Sequence, residues 1–496
     1  MQSFCIFKAR TIKVFMKDIL LKAKNGKAAE WIKRLLLSYK FPFITAAVEL
    51  ICYYLGLDVV TFLYIGVTAV AALLLLEDLT PIIGIALFSG CMISVKNSPS
   101  PLGTGTNYYS HPAVLTVIGI IATVIAAALI YRVVLNVKNK QVKFTPMFWG
   151  YVALSLAFMC SGFFDDDYSA KHLLYGLLMT VFHFGFFVLI SSNVKITEEN
   201  YKRIAFSFLA LSFMLLIELA VVYLTTPNII NDFNIHKESL FFGWGQWNTI
   251  GMFFVSCVPF ILYLAGKYKW GWVLTLYSIV IVLATVLTAS RQSMLAIAVI
   301  YVISYAVLIF KGKNRWINLS IAVVTIISAL IVITIFSEEI VKFLNNMIES
   351  LVNTEGEFTG NGRTGLIDMA IQAFKANPVF GGGWYVQLAE DPGFVGIALI
   401  PEMYHNSVFQ MLGACGILGL LTYGIHRIQT VIVFFRRPTT ERTTLALVIL
   451  GLIIMGFFDN HIFYIFPTMF YTSIIAILHN SEKPPRKLKT LTSGKK

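Results

Sequence analysis

Long apolar runs separated by brief polar punctuation dominate the chain. Fourteen of them approach the roughly 17–25 residues that a helix needs to cross a hydrocarbon core about 30 Å thick. They cover approximately 42–57, 58–77, 79–95, 112–131, 144–162, 172–191, 204–224, 248–266, 270–289, 291–310, 317–336, 405–425, 443–458 and 461–479. Tight turns at Gly56-Leu57-Asp58 and Asp459-Asn460-His461 make two pairs hairpins, either of which a re-entrant loop would also satisfy. The pattern predicts an all-α polytopic membrane protein with 12 to 14 transmembrane helices.

Composition excludes the soluble alternatives. The 496 residues are 57% hydrophobic and 13% charged, with mean hydropathy +0.75. That is about half the charge of a soluble surface, too little for a cytosolic enzyme, a secreted disulfide scaffold or a disordered chain. The net charge of +13 would suggest nucleic acid for a soluble protein, but basic residues also orient membrane proteins. With the N-terminus in the cytoplasm, 32 of the 39 Lys and Arg residues fall on the cytoplasmic side. Lys96, Lys171, Lys237, Arg291, Lys342, Arg363 and Lys375 remain outside. Both termini are therefore expected in the cytoplasm, and no nucleic-acid partner is expected. The cysteines fall in the N-terminal segment or in the runs without CxxC spacing, which indicates neither disulfides nor a thiolate metal site.

The expected organisation is a basic N-terminal segment (1–40), a transmembrane bundle (41–336), an extracytoplasmic loop (337–404), C-terminal spans (405–480) and a basic tail (481–496). The N-terminal segment interleaves Lys8, Arg10, Lys13 and Lys17 with Phe4, Phe7, Val14 and Phe15, as an interfacial helix or a solvated topogenic tail would. The loop far exceeds the usual helix–helix connection. Within it, 363–377 place Leu366, Ile367, Ala370 and Phe374 on one helical face, and Pro378 with Gly381-Gly382-Gly383 ends that helix.

Three outer basic residues are candidates for chemistry. Arg291 lies at a turn between two runs, Arg363 opens the loop helix, and His405 opens the next run. A guanidinium grips phosphate bidentately with permanent charge, and a helix start adds free N–H groups. Snorkelling would equally account for Arg291, pairing with Glu357 or Asp368 for Arg363, and a structural role for His405. Trp244 and Trp247 offer flat faces for sugar rings, or an interfacial belt. Asp165-Asp166-Asp167 reads as a solvated turn, and the Asp459–His461 cluster as structural. Glu49 and Glu218 lie inside runs, where ionisable groups default to function or to internal pairing.

Taken in order, these features resemble the O-antigen ligase and O-antigen polymerase superfamily of bacterial envelope glycosyltransferases. The resemblance rests on Ser290-Arg291 at an outer turn and on a long penultimate outer loop. That loop holds Gly362-Arg363 and Asn377-Pro378-Val-Phe-Gly381-Gly-Gly383-Trp384, and His405-Asn406-Ser407 then leads into Gly413-Ala-Cys-Gly-Ile-Leu-Gly419. It covers residues 240–480, and Gln292 departs from the small residue that often follows the arginine in relatives. It implies a membrane glycosyltransferase (GT-C-like) fold in the bacterial cytoplasmic membrane, acting on the outer face without metal or nucleotide cofactor. The donor would be an undecaprenyl-diphosphate-linked glycan, with membrane lipids and other polysaccharide-assembly proteins as further partners. By matched position, Arg291 and Arg363 would bind the diphosphate and His405 would assist the acceptor or the phosphate. Trp244, Trp247, Asn406 and Gly382 are the expected substrate-binding residues. A polymerase of surface or capsular repeat units is the leading expectation, and a ligase moving the glycan to another acceptor is the alternative. A lipid-linked oligosaccharide flippase is disfavoured, because no internal repeat is visible.

Overall fold

The computed structural model describes residues 26–90, 112–166, 168–227, 229, 239–242, 245–338, 341, 363–384, 404–436 and 438–481. The helices are α1 Lys27–Leu36, α2 Phe41–Leu55, α3 Asp58–Leu75, α4 Thr80–Ser89, α5 Pro112–Lys138, α6 Pro146–Met159, α7 Ala170–Thr180, α8 Phe186–Asn193, α9 Glu198–Thr225, α10 Trp247–Lys267, α11 Trp272–Leu287, α12 Arg291–Lys311, α13 Arg315–Ile335, α14 Arg363–Ala376, α15 Ser407–Phe435, α16 Thr440–Gly456 and α17 Ile465–Asn480. A two-residue antiparallel pair, Phe241–Phe242 with Gly245–Gln246, leads into α10. Apart from that pair the described residues are all-α, and each apolar run contains helix.

Among the described residues, seven helices are long and apolar enough to cross a membrane, or eight if the bent pair α1–α2 is one span. The 12 to 14 expected spans are reached only by counting shorter apolar helices such as α6, α11 and α17 as well. Helix α1 meets α2 at 87°, as a segment lying along the interface would. The run expected at 172–191 is α7 and α8 joined through a π-helical turn at Val181–Gly185.

Helix α10 is the centre of the bundle: its apolar residues from Ile250 to Ala265 are buried against α9, α11, α12 and α16. Helices α5 and α13 stand at the periphery, and Asn318 is the one buried residue of α13. Backbone and polar groups without water must pair internally. Arg132 Nε accordingly donates to Asn193 Oδ1 at 2.9 Å, and Arg427 donates to the Tyr471 and Tyr423 hydroxyls at 2.6 and 2.5 Å. Glu49 and Glu218 are both buried, on the packed helices α2 and α9.

Candidate active site

Two breaks in helical geometry build the site. Between α11 and α12 the chain reverses through Ala289, whose φ of 52° puts an alanine in the left-handed region. Ser290 then precedes α12, and Arg291 is the first residue of that helix. His405 also sits at positive φ, 48°, just before Asn406, whose side chain accepts from Val408 N–H at 2.9 Å and Phe409 N–H at 3.2 Å to cap α15. Left-handed backbone at residues with a Cβ costs of order 1–3 kcal/mol and persists only where the surroundings enforce it. Here the enforcing element is a buried polar hub.

That hub is Asp459, in the turn between α16 and α17, with a side chain only 5% exposed. Its Oδ1 accepts from His405 Nδ1–H at 3.1 Å and from Asn460 N–H at 2.8 Å. Its Oδ2 accepts from Asn248 Nδ2 and Gln292 Nε2, each at 3.2 Å, with His461 Nε2 at 3.7 Å. Gln292 Nε2 also lies 3.1 Å from that His461 nitrogen. Ser290 Oγ–H donates to Asn248 Oδ1 at 2.8 Å and stands 2.8 Å from Ser293 Oγ. Asn460 Nδ2 and the Tyr404 N–H both donate to Gln410 Oε1, at 2.7 and 3.0 Å. One carboxylate thus ties the starts of α10, α12 and α15 together.

Burial opposes ionisation of Asp459, but the His461 and His405 rings and the Asn460 N–H outweigh it and hold the carboxyl below its ordinary range. A carboxylate only accepts, so His405 Nδ1 carries the hydrogen of this bond and Nε2 is the ring nitrogen left outside it. The His405 side chain is 38% exposed, against 5% for Asp459, so the histidine is the accessible member of the pair.

Arg291 joins this cluster through its neighbours Ser290 and Gln292 and is half-buried. A cation at a helix start lies against the helix dipole, so an anion bound there relieves both the charge and the open N–H groups. Arg363 is likewise the first residue of α14, and its side chain lies outside the described residues. Trp244 lies outside them too. Trp247 begins α10, beside Asn248, and is half-buried. Asn406, besides capping α15, donates to Phe457 O at 2.8 Å.

Gly382 belongs to a second construction. Helix α15 breaks at Gly416 (φ 61°, ψ −155°), and the segment after α14 docks into the break. Gly382 N–H donates to Gly413 O at 2.8 Å, Gly383 N–H to Ala414 O at 3.1 Å, and Ile417 N–H to Pro378 O at 2.9 Å. Ser161 Oγ–H takes Ala414 O at 2.7 Å as well, and Trp384 Nε1–H donates to Phe158 O at 3.1 Å. A Cβ on Gly381 would meet Gly413 O at 2.5 Å, and one on Gly416 would meet Val379 O at 2.6 Å. The two glycine-rich motifs are therefore halves of one joint, which fixes α14 against α15. Ala370 of α14 is fully buried there, as its expected face requires.

The sequence reads Asp459 as structural and Gln292 only as a departure from relatives, and nothing in it singles out Asn248. The available signal was that Asp459 is the one acidic residue between Glu441 and Glu482, set in a polar triplet between two apolar runs.

No curated protein matches the chain. A family model described as O-antigen ligase matches residues 276–424, from within α11 into α15, and so includes Arg291, Arg363 and His405 but not Asp459. Over that stretch the chain is similar to the O-antigen ligase family, and its long apolar helices are those of a multi-pass membrane protein.

Proposed function

We propose that the protein polymerises undecaprenyl-diphosphate-linked repeat units into a surface polysaccharide, on the outer face of a bacterial cytoplasmic membrane. The observation that carries this reading is the half-exposed His405 ring, oriented by buried Asp459 at the end of the bundle where Arg291 opens α12. In the reaction, an acceptor sugar hydroxyl attacks the anomeric carbon of the carrier-linked glycan. Its oxygen forms the new glycosidic bond while the bond to the diphosphate breaks and the diphosphate keeps the electron pair. The hydroxyl proton passes to His405 Nε2. Arg291, with Arg363, stabilises the charge gathering on the diphosphate, an effect greatest in the transition state. Proton transfer of this kind contributes roughly 10²–10⁴ in rate.

The description of the matching family favours a second reading, ligation of the finished glycan to a different acceptor. Purified protein supplied with carrier-linked repeat units alone distinguishes the two. Lengthening glycan with release of carrier is the expected result; turnover only after a distinct acceptor is added would replace polymerisation by ligation.

A further inference from the structure

At the end of the bundle away from Asp459, α10, α12 and α16 part around a cavity of about 180 Å³. Lys267, Lys311 and Lys313 line it together with Ser304, Thr440 and Thr444, and no acidic side chain does. Lys267 is matched by Glu441 at 2.8 Å, whereas Lys311 and Lys313 have no carboxylate partner among the described residues. The Ser304 hydroxyl, on a residue 4% exposed, has no hydrogen-bond partner. Space is kept open by Gly266, where a Cβ would stand 3.4 Å from Leu308 Cδ1 and 3.6 Å from Gly312 Cα. The first turn of α16 borders it with Thr440 and Thr444, while Thr439 caps that helix by accepting from Arg442 N–H and Glu441 of the same turn is held by Lys267.

A buried unsatisfied hydroxyl and two ammonium groups without a carboxylate partner among the described residues come together where apolar spans end. We infer that this cavity holds the phosphodiester headgroup of an anionic phospholipid, its acyl chains lying along the apolar surface beyond. The expected bias of basic residues puts this end at the cytoplasmic leaflet, where a juxtamembrane basic pocket attracts such lipids. A free phosphate shares the headgroup's chemistry but has nothing to place along the apolar surface.

Native mass spectrometry of the full chain, released from phosphatidylcholine nanodiscs doped with phosphatidylglycerol, tests the inference. Phosphatidylglycerol should stay bound under activation that strips phosphatidylcholine. The double variant Lys311→Gln/Lys313→Gln should hold it about 10–30-fold more weakly. Ser304→Ala, which tests the cavity without removing charge, should weaken it too. A control, Lys138→Gln/Lys140→Gln, removes equal charge elsewhere and should bind as the unsubstituted protein does. Equal retention of both lipids, unchanged binding in the cavity variants or equal loss in the control would each overturn the assignment. Complete displacement by inorganic phosphate would overturn the lipid as occupant. None of these readouts depends on glycan transfer.

Discussion

Asp459 fixes the orientation of the His405 ring, which the proposed reaction uses as its base, and a neutral amide in its place would not. Asp459→Asn keeps the shape but presents an N–H or a weaker acceptor to His405 Nδ1 and loosens the proton's preference for that nitrogen. Turnover should fall about tenfold or more, equivalent to at least ~1.4 kcal/mol of barrier, with insertion unchanged. His405→Gln should fall further, by roughly 10²–10⁴, and equal rates for all three proteins would remove the pair from the chemistry. Arg291→Ala should lose turnover while Arg291→Lys recovers part of it, because lysine keeps the charge but not the fork; a silent Arg291→Ala would return that residue to snorkelling. The sign of the Asp459 contribution to stability follows from its depressed ionisation. It is fully present above the unfolded carboxyl value and is lost as pH falls through the folded one. Acidification below about pH 4 should therefore lower the thermal midpoint more for the natural protein than for Asp459→Asn.

At the scale of elements, the strain lies in the turns that present the site. Ala289→Gly relieves a left-handed alanine, so it should leave stability unchanged or raise it by about 1 kcal/mol, read as a thermal midpoint. Gly416→Ala should do the opposite. It places a Cβ against Val379 in a backbone region that only glycine occupies comfortably, at a cost of about 2–4 kcal/mol. Cysteine crosslinking of α14 to α15 would report a failed joint if that cost is not met. The helices themselves were legible in the sequence, because lipid demands apolar length and nothing else supplies it. Gly382 shows what was not: the sequence offers it as a substrate-binding residue and gives no sign that its N–H serves the break in α15. Neither the break nor its partner can be read from hydropathy, since hydropathy does not record which carbonyls a helix leaves free. Asp459 escaped for a related reason, as the residues it joins lie 54, 167 and 211 positions away in the chain.

Among the described residues, two polar clusters lie at opposite ends of the bundle, apart from the groups such as Glu49 and Glu218 buried within it. One end gathers Arg291, His405 and Asp459, and the other the ion pairs of Glu198 with Lys202 and Glu441 with Lys267. The charge pattern predicts that the first end faces outward. A membrane-impermeant thiol reagent should then label a cysteine placed at Asn406 in intact cells, and one at Lys313 only after permeabilisation; the reverse pattern would invert the topology.

The joint between residues 378–383 and 413–418 also sets an order of events during synthesis. Gly382 and Gly383 leave the ribosome some thirty residues before Gly413 and Ala414, the acceptors of their N–H groups. Until α15 arrives, those donors and the Ser161 hydroxyl lack their final partner, and α14 has no wall to pack on. The joint therefore closes only after α15 has been made, and a chain truncated before Gly413 would carry α14 with nothing to fix it against the rest of the bundle.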